Sequence, residues 1–282
     1  MAVALAAAAA DFAALARHGL FGRLAHPEYL RRVESHLRAL HRRGLEVHLR
    51  VLEAGDYEDY CAALGLDPRA PATRVAYAAD PELAGEPFVY AGQRLAGLLP
   101  VLLDDHRARV RMSVAGVALL QAVGDDEDGR RRLAAVMGYV TAVYLALAAG
   151  AGEGGHLLTL RCHGPEDGEQ LTSAVDLRVR AGSLHPEGRD TEAFCVTLAA
   201  GVAGGGTGAL LLHGDPAASG GALVRGWALA GGRLRPMTVH EVFDELADDA
   251  ARGLPFPPGV VPRPGFPVPG FPGEGEGGGP RG

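Results

Sequence analysis

The sequence predicts a mixed α/β or α+β fold in which sheets carry packed helices and the chain closes with a disordered Gly/Pro-rich C-terminal tail. Leu45, Val47, Leu49 and Val51 alternate with Glu46, His48 and Arg50, the two-residue period of a strand with one wet face. Leu30, Val33, Leu37 and Leu40 instead recur at the 3.6-residue period of a helix with one apolar stripe. From Leu254 the composition shifts abruptly to proline and glycine, which remove backbone donors and raise the entropic cost of ordering. Segments of the two periods take turns along the chain, as expected of a sheet covered by helices.

The elements follow in order. Alanine content favours helix from Ala2 to Leu20, broken around Gly19 and Gly22. Pro27 fits the first turn of the next helix, which Gly44 ends. After the strand at Leu45–Leu52, Asp56 is placed to cap a short helix through Leu64. Strands are expected at Val75–Ala78, Phe88–Tyr90 and Val110–Val114, with a helix from Gln93 to His106. An apolar segment then reaches Val123, and Gly124–Gly129 forms an acidic loop. Arg130–Ala149 reads as a long buried helix. Strands at Leu157–Cys162 and Ala174–Arg180 precede a helix over Thr191–Ala203, capped by Asp190. Strands at Ala209–His213 and Leu223–Leu229 follow, the second turning through Ala230-Gly231-Gly232 into a hairpin. Thr238 and Glu241 form a capping box for a last helix through Leu246. This order divides into an N-terminal α/β region, 1–129, a C-terminal α+β region, 130–253, joined by the buried helix 130–149, and the tail, 254–282.

Composition narrows the chemistry. At 48% hydrophobic and 22% charged, the body is rich enough in apolar residues to build a core. The net charge of −7 gives no general attraction for nucleic acid or anionic lipid, so neither nucleic acid nor membrane is an expected partner. The chain has no lysine, asparagine or isoleucine. Without lysine there is no phosphate loop of the Walker type, no pyridoxal Schiff base and no Ser-Lys hydrolase. Cys61, Cys162 and Cys195 form no CxxC pair, which argues for reduced thiols in a cytoplasm rather than a disulfide framework. The run Ala2–Ala10 lacks a preceding basic residue and is broken by Asp11, unlike a signal peptide.

Three groups of residues are candidates for function. Arg31, Arg38 and Arg42 form a stripe on the helix that starts at Pro27, within a stretch where eight arginines between Arg17 and Arg50 face Glu28, Glu34 and Glu46. Such cations bind phosphate-like anions, or simply solvate a helix face. Cys195, His213 and Asp215 make a nucleophile, base and orienting acid only if the helix carrying Cys195 packs over the end of the strand carrying His213. Phe256, Phe266 and Phe271 recur beside prolines in the tail, as apolar anchors on a chain biased toward polyproline II for a protein partner. No motif calls for a metal or cofactor. His240-Glu241 lacks the second histidine of HExxH, Asp104, Asp105 and His106 point in different directions on a helix, and Gly201–Gly208 lies after a helix rather than before one. Two readings stay open: a non-catalytic intracellular interaction or regulatory protein, and a hydrolase-like enzyme or binding module for a small anionic ligand.

Overall fold

The computed structural model describes residues 1–80, 83, 88–164, 170–186, 190–214, 222–251 and 259–271. The chain forms two compact units, Met1–Arg109 and Val110–Gly282. The mixed architecture is the one the two hydrophobic periods predict. The division falls after Arg109, inside a helix.

The first unit is built on three strands, β1 (Ala2–Leu5), β2 (Val47–Val51) and β3 (Phe88–Tyr90), in spatial order β1-β2-β3. β1 runs parallel to β2, and β3 antiparallel to it. Helices α1 (Ala9–Ala16), α2 (His26–Arg42), α3 (Ala54–Leu64), α4 (Pro71–Ala79) and the start of α5 (Leu95–Val123) complete it. Val47, Leu49 and Val51 pack with Leu5 against Leu37 and Leu40 of α2 and Leu95, Leu98 and Leu102 of α5. Leu52, Phe12, Leu15, Tyr57 and Tyr77 form a second cluster with α1, α3 and α4.

Four expectations fail between Ala2 and Val114, the first three because tertiary contacts override local preference. Ala2–Leu5 is a strand: the pairing with β2 buries Leu5, whereas a short alanine helix gains little in water. Val75–Ala78 lies in α4, opened by Pro71, with Thr73 and Tyr77 buried one turn apart and Val75 exposed. Val110–Val114 lies within the 29-residue α5, where β-branched residues are tolerated because the helical spacing Ala115, Leu119, Val123 buries one side. Asp56 sits in the first turn of α3 rather than at its cap; Asp11 accepts from the Ala54 N–H at 3.2 Å instead.

The second unit contains α6 (Glu127–Ala151), β4 (Gly154–His163), β5 (Gln170–Arg180), β6 (Ser183–Pro186), α7 (Asp190–Ala203), β7 (Gly208–His213), β8 (Leu223–Ala230), β9 (Arg233–Pro236), α8 (Val239–Ala251) and β10 (Val261–Pro264). The sheet order is β10-β8-β7-β4-β5-β6, with β9 also paired to β8. The β10–β8 pair is parallel and the rest antiparallel. Val136, Val140, Val143 and Leu147 of α6 and Phe194 and Leu198 of α7 pack on one sheet face, around Leu158, Leu160, Leu210 and Trp227. Val242 and Leu246 of α8 cover Ala209, Leu211 and Val224 on the other. The capping box forms as expected: the Thr238 N–H donates to Glu241 Oε2 at 2.8 Å and the Glu241 N–H to Thr238 Oγ1 at 3.3 Å. Among the described residues, α6 alone has the length and apolar character to cross a membrane, and its buried stripe is spent on this core.

Part of the segment expected to form the disordered tail is built into the second unit. Residues 259–271 are ordered: β10 pairs with Leu223–Gly226 of β8, the Trp227 Nε1–H donates to Phe266 O at 2.8 Å, and the Phe266 ring meets the Trp227 ring edge-on at 4.9 Å. Phe271 packs on Tyr139 at 5.3 Å. Prolines at 262 and 264 are tolerable because β10 lies at the edge of its sheet. Residues 254–258 and 272–282, the rest of the expected tail, lie outside the described residues.

Candidate functional site

The arginine stripe lines a cavity. Positions 31, 35, 38 and 42 are spaced by four, three and four residues, so Arg31, Ser35, Arg38 and Arg42 share one face of α2. Together with Glu34, His41 and Gly92 they surround an open cleft of about 430 Å³. Gly92, just beyond β3, has φ +87°, and a Cβ there would stand 2.8 Å from His41 Nε2. A glycine is therefore required for the loop to come this close to α2. The His41 ring is held edge-on by Tyr90 at 5.7 Å. Arg38 pairs with Glu34 at 2.5 Å. Arg31 and Arg42 have no carboxylate partner among the described residues; Arg42 Nε donates to Arg38 O at 3.3 Å. Three guanidinium groups thus face one carboxylate. The placement of His41 and Arg42 in the last turn also suits the helix dipole, but Arg31 and Ser35 are two to three turns upstream, where that effect has faded.

A second group of polar residues gathers beyond the other end of β2. Glu53 precedes α3, Asp56 is in its first turn, and His106 comes from α5; their ligand atoms all lie within 4.8 Å of one another. His106 Nε2 is 3.3 Å from Glu53 Oε2 yet is buried without a hydrogen-bond partner. Burial first, and then the adjacent Glu53, push the Asp56 carboxyl above its ordinary pKa, while His106 opposes the shift. Asp104 and Asp105 play no part in the cluster: Asp104 pairs with Arg107 at 3.3 Å and Asp105 with Arg109 at 2.7 Å.

A family model described as a domain of unknown function, DUF8829, matches residues 1–93. The matched DUF8829 stretch holds every residue of the arginine cleft, Glu53 and Asp56, and leaves out His106 and the whole second unit. No curated protein and no solved structure matches the chain.

The other two candidate groups do not assemble as the sequence suggested. Cys195 is on α7, which packs on the sheet face formed by Leu210 and Leu212. His213 belongs to the alternate set of β7 and lies 3.3 Å from Thr159 Oγ1. Alternation along β7 therefore sends the His213 side chain away from the α7 face, and Asp215 lies outside the described residues. Burial pushes the Cys195 thiol up to about 11, with Glu192 adding to the shift, and the His213 imidazole below its ordinary value. Cys162, wholly buried, is pushed up to about 12. Of the tail phenylalanines, Phe266 and Phe271 are used by the second unit's own core, and Phe256 lies outside the described residues.

Two further features carry less. A cavity of about 280 Å³ on the second unit's sheet is lined by Thr159, Arg161, Thr172, Glu245 and Asp249, with Arg111. Its cations are already matched, Arg161 by Glu245 and Asp249 and Arg111 by Asp190. The glycine-rich segment after α7 is a packing device: a Cβ at Gly206 would lie 2.2 Å from His163 O, so the loop presses directly on the adjoining backbone.

Proposed function

We propose that the first unit binds a small polyanion in the arginine cleft. The supporting observation is the convergence of Arg31, Arg38 and Arg42 on one cavity against the single carboxylate of Glu34. A volume of about 430 Å³ falls within the range of small-molecule sites, and the Ser35 hydroxyl and His41 ring supply hydrogen-bonding groups beside the cations. Planar guanidinium groups suit phosphate or carboxylate ligands through paired N–H donors. The notable chemical contrast is with the second unit's cavity, where every lining arginine already has acidic partners.

Calorimetric titration of the full chain with pyrophosphate and with citrate tests this reading. Binding should weaken at least about tenfold in R31A/R42A, and fall as salt is raised, because the attraction is between exposed charges. Titration curves identical for the wild type and R31A/R42A would refute it. A protein-interaction role has a separate support in the second unit, where Val114, Val117 and Leu120 of α5 are 38%, 55% and 60% exposed. Such a patch is an apolar surface suited to a partner, whereas Phe266 and Phe271 are already packed on the second unit's own core.

A further inference from the structure

We propose that Glu53, Asp56 and His106 form a binding site for a divalent transition-metal ion, with Zn²⁺ or Mn²⁺ as the fitting class. The imidazole carries the argument. His106 Nε2 has no solvent contact and no hydrogen bond, although it faces Glu53 Oε2 at 3.3 Å. A buried nitrogen that lies against a carboxylate without forming a hydrogen bond is costly, and coordination of a cation shared with that carboxylate satisfies it. Two carboxylates held beside each other repel unless a proton or a cation is shared between them.

The geometry is close to that of a bound ion. Donor atoms about 2.0–2.2 Å from a metal are separated by up to about 4.2 Å, so a cluster within 4.8 Å requires only small side-chain rotations. One imidazole nitrogen with two carboxylates selects a borderline transition metal over Mg²⁺ or Ca²⁺, which prefer all-oxygen shells. Three protein ligands leave coordination positions for water.

The fold fixes the scaffold. The chain leaves β2 with the Leu52 N–H donating to Leu5 O at 2.8 Å, and the Ala54 N–H is held by Asp11, so Glu53 is pinned on both sides. This point lies outside the carboxyl ends of the parallel strands β1 and β2, where open α/β sheets commonly place ligands. The arginine cleft lies at the opposite end of β2, beside Tyr90, which pairs with Val47. The two sites are therefore independent.

The test uses the full chain, stripped with chelator and dialysed into metal-free buffer. Zn²⁺ and Mn²⁺ are titrated by calorimetry with Mg²⁺ as the hard-cation comparison, and Co²⁺ is added as a visible-spectrum probe. We expect one Zn²⁺ per chain that is weakened at least about tenfold in H106A and in E53Q. The Co²⁺ d–d bands should change in both variants. H240A, at an exposed histidine, and R31A/R42A should bind Zn²⁺ as the wild type does. E53Q conserves shape at a half-exposed position, so its thermal midpoint without metal should stay near wild type and separate loss of ligand from loss of fold. The proposal is overturned if wild-type Zn²⁺ binding is no tighter than about 1 mM, or if H106A and E53Q leave affinity and Co²⁺ spectrum unchanged.

Discussion

Removing Phe266 or the whole segment 259–282 should destabilise the second unit and alter its tryptophan signal. Trp227 is the one tryptophan of the chain and is fully buried, with its N–H given to Phe266 O and its ring against the Phe266 ring. Full truncation of a buried phenylalanine costs about 3–5 kcal/mol, and Phe266 is only partly buried, so Phe266→Ala should cost about 2 kcal/mol. In a unit of this size that lowers the thermal midpoint by about 4–8 °C. Truncation adds the loss of β10 and of Phe271 against Tyr139, and leaves the Trp227 N–H without its acceptor. Its effect should exceed that of the point variant. Differential scanning calorimetry measures the midpoint, and tryptophan emission should shift to longer wavelength as water reaches the indole. An unchanged midpoint together with an unchanged emission maximum in the truncated protein would show that residues 259–271 are not part of the core.

Three other expectations are independent of that contact. Gly150→Ala should lower the second unit's midpoint by several degrees, because the added methyl would lie 2.2 Å from Phe266 Cζ; combining it with Phe266→Ala should recover part of the loss, and strict additivity would count against the clash. Glu241, held by Arg235 and by the Thr238 cap, has its carboxyl lowered to about 2. A depressed acid stabilises the fold fully above its ordinary value of 4.5 and loses that contribution as pH falls toward about 2, so the acid-induced fall in stability over this window should be shallower in E241Q than in the wild type. Cys195, with its thiol near 11, should alkylate slowly at pH 7 in the folded protein, and a rapid reaction there would contradict its burial.

Much of the fold was legible wherever one local pattern and one tertiary demand agree. At β2 the alternation of Val47, Leu49 and Val51 matches a sheet with one buried face, and at α8 the Thr238–Glu241 box satisfies backbone donors that any helix start leaves open. The failures occur where they disagree. Alanine propensity says nothing of an available strand edge, so Ala2–Leu5 pairs with β2. The segment Val110–Val114, with a valine at each end, reads as strand in isolation, yet one helical stripe through α5 buries Ala115, Leu119 and Val123. Proline and glycine in the tail mark a chain unable to form its own ladder, but they do not prevent one edge pairing or the insertion of two phenylalanines.

The two candidate sites differ in legibility for a geometric reason. The arginine face lies within one helix, so its three- and four-residue spacing already places Arg31, Ser35, Arg38 and Arg42 together; only the opposing wall at Gly92 depends on tertiary structure. In the carboxylate and imidazole cluster, Glu53 and His106 are more than fifty residues apart and neither belongs to a local metal motif. What joins them is topology. β2 delivers Glu53 to its carboxyl end, and α5 enters at the other end of the sheet, packs Leu95, Leu98 and Leu102 along β2, and so carries His106, one further helical turn along, back toward Glu53. Since the apolar spacing 95, 98, 102 continues to position 106, the same periodicity that builds the core also sets the direction of the imidazole. An insertion of one residue between Leu102 and His106 would rotate His106 by about 100° about the helix axis and should abolish Zn²⁺ binding while leaving the apolar contacts of Leu95, Leu98 and Leu102 in place.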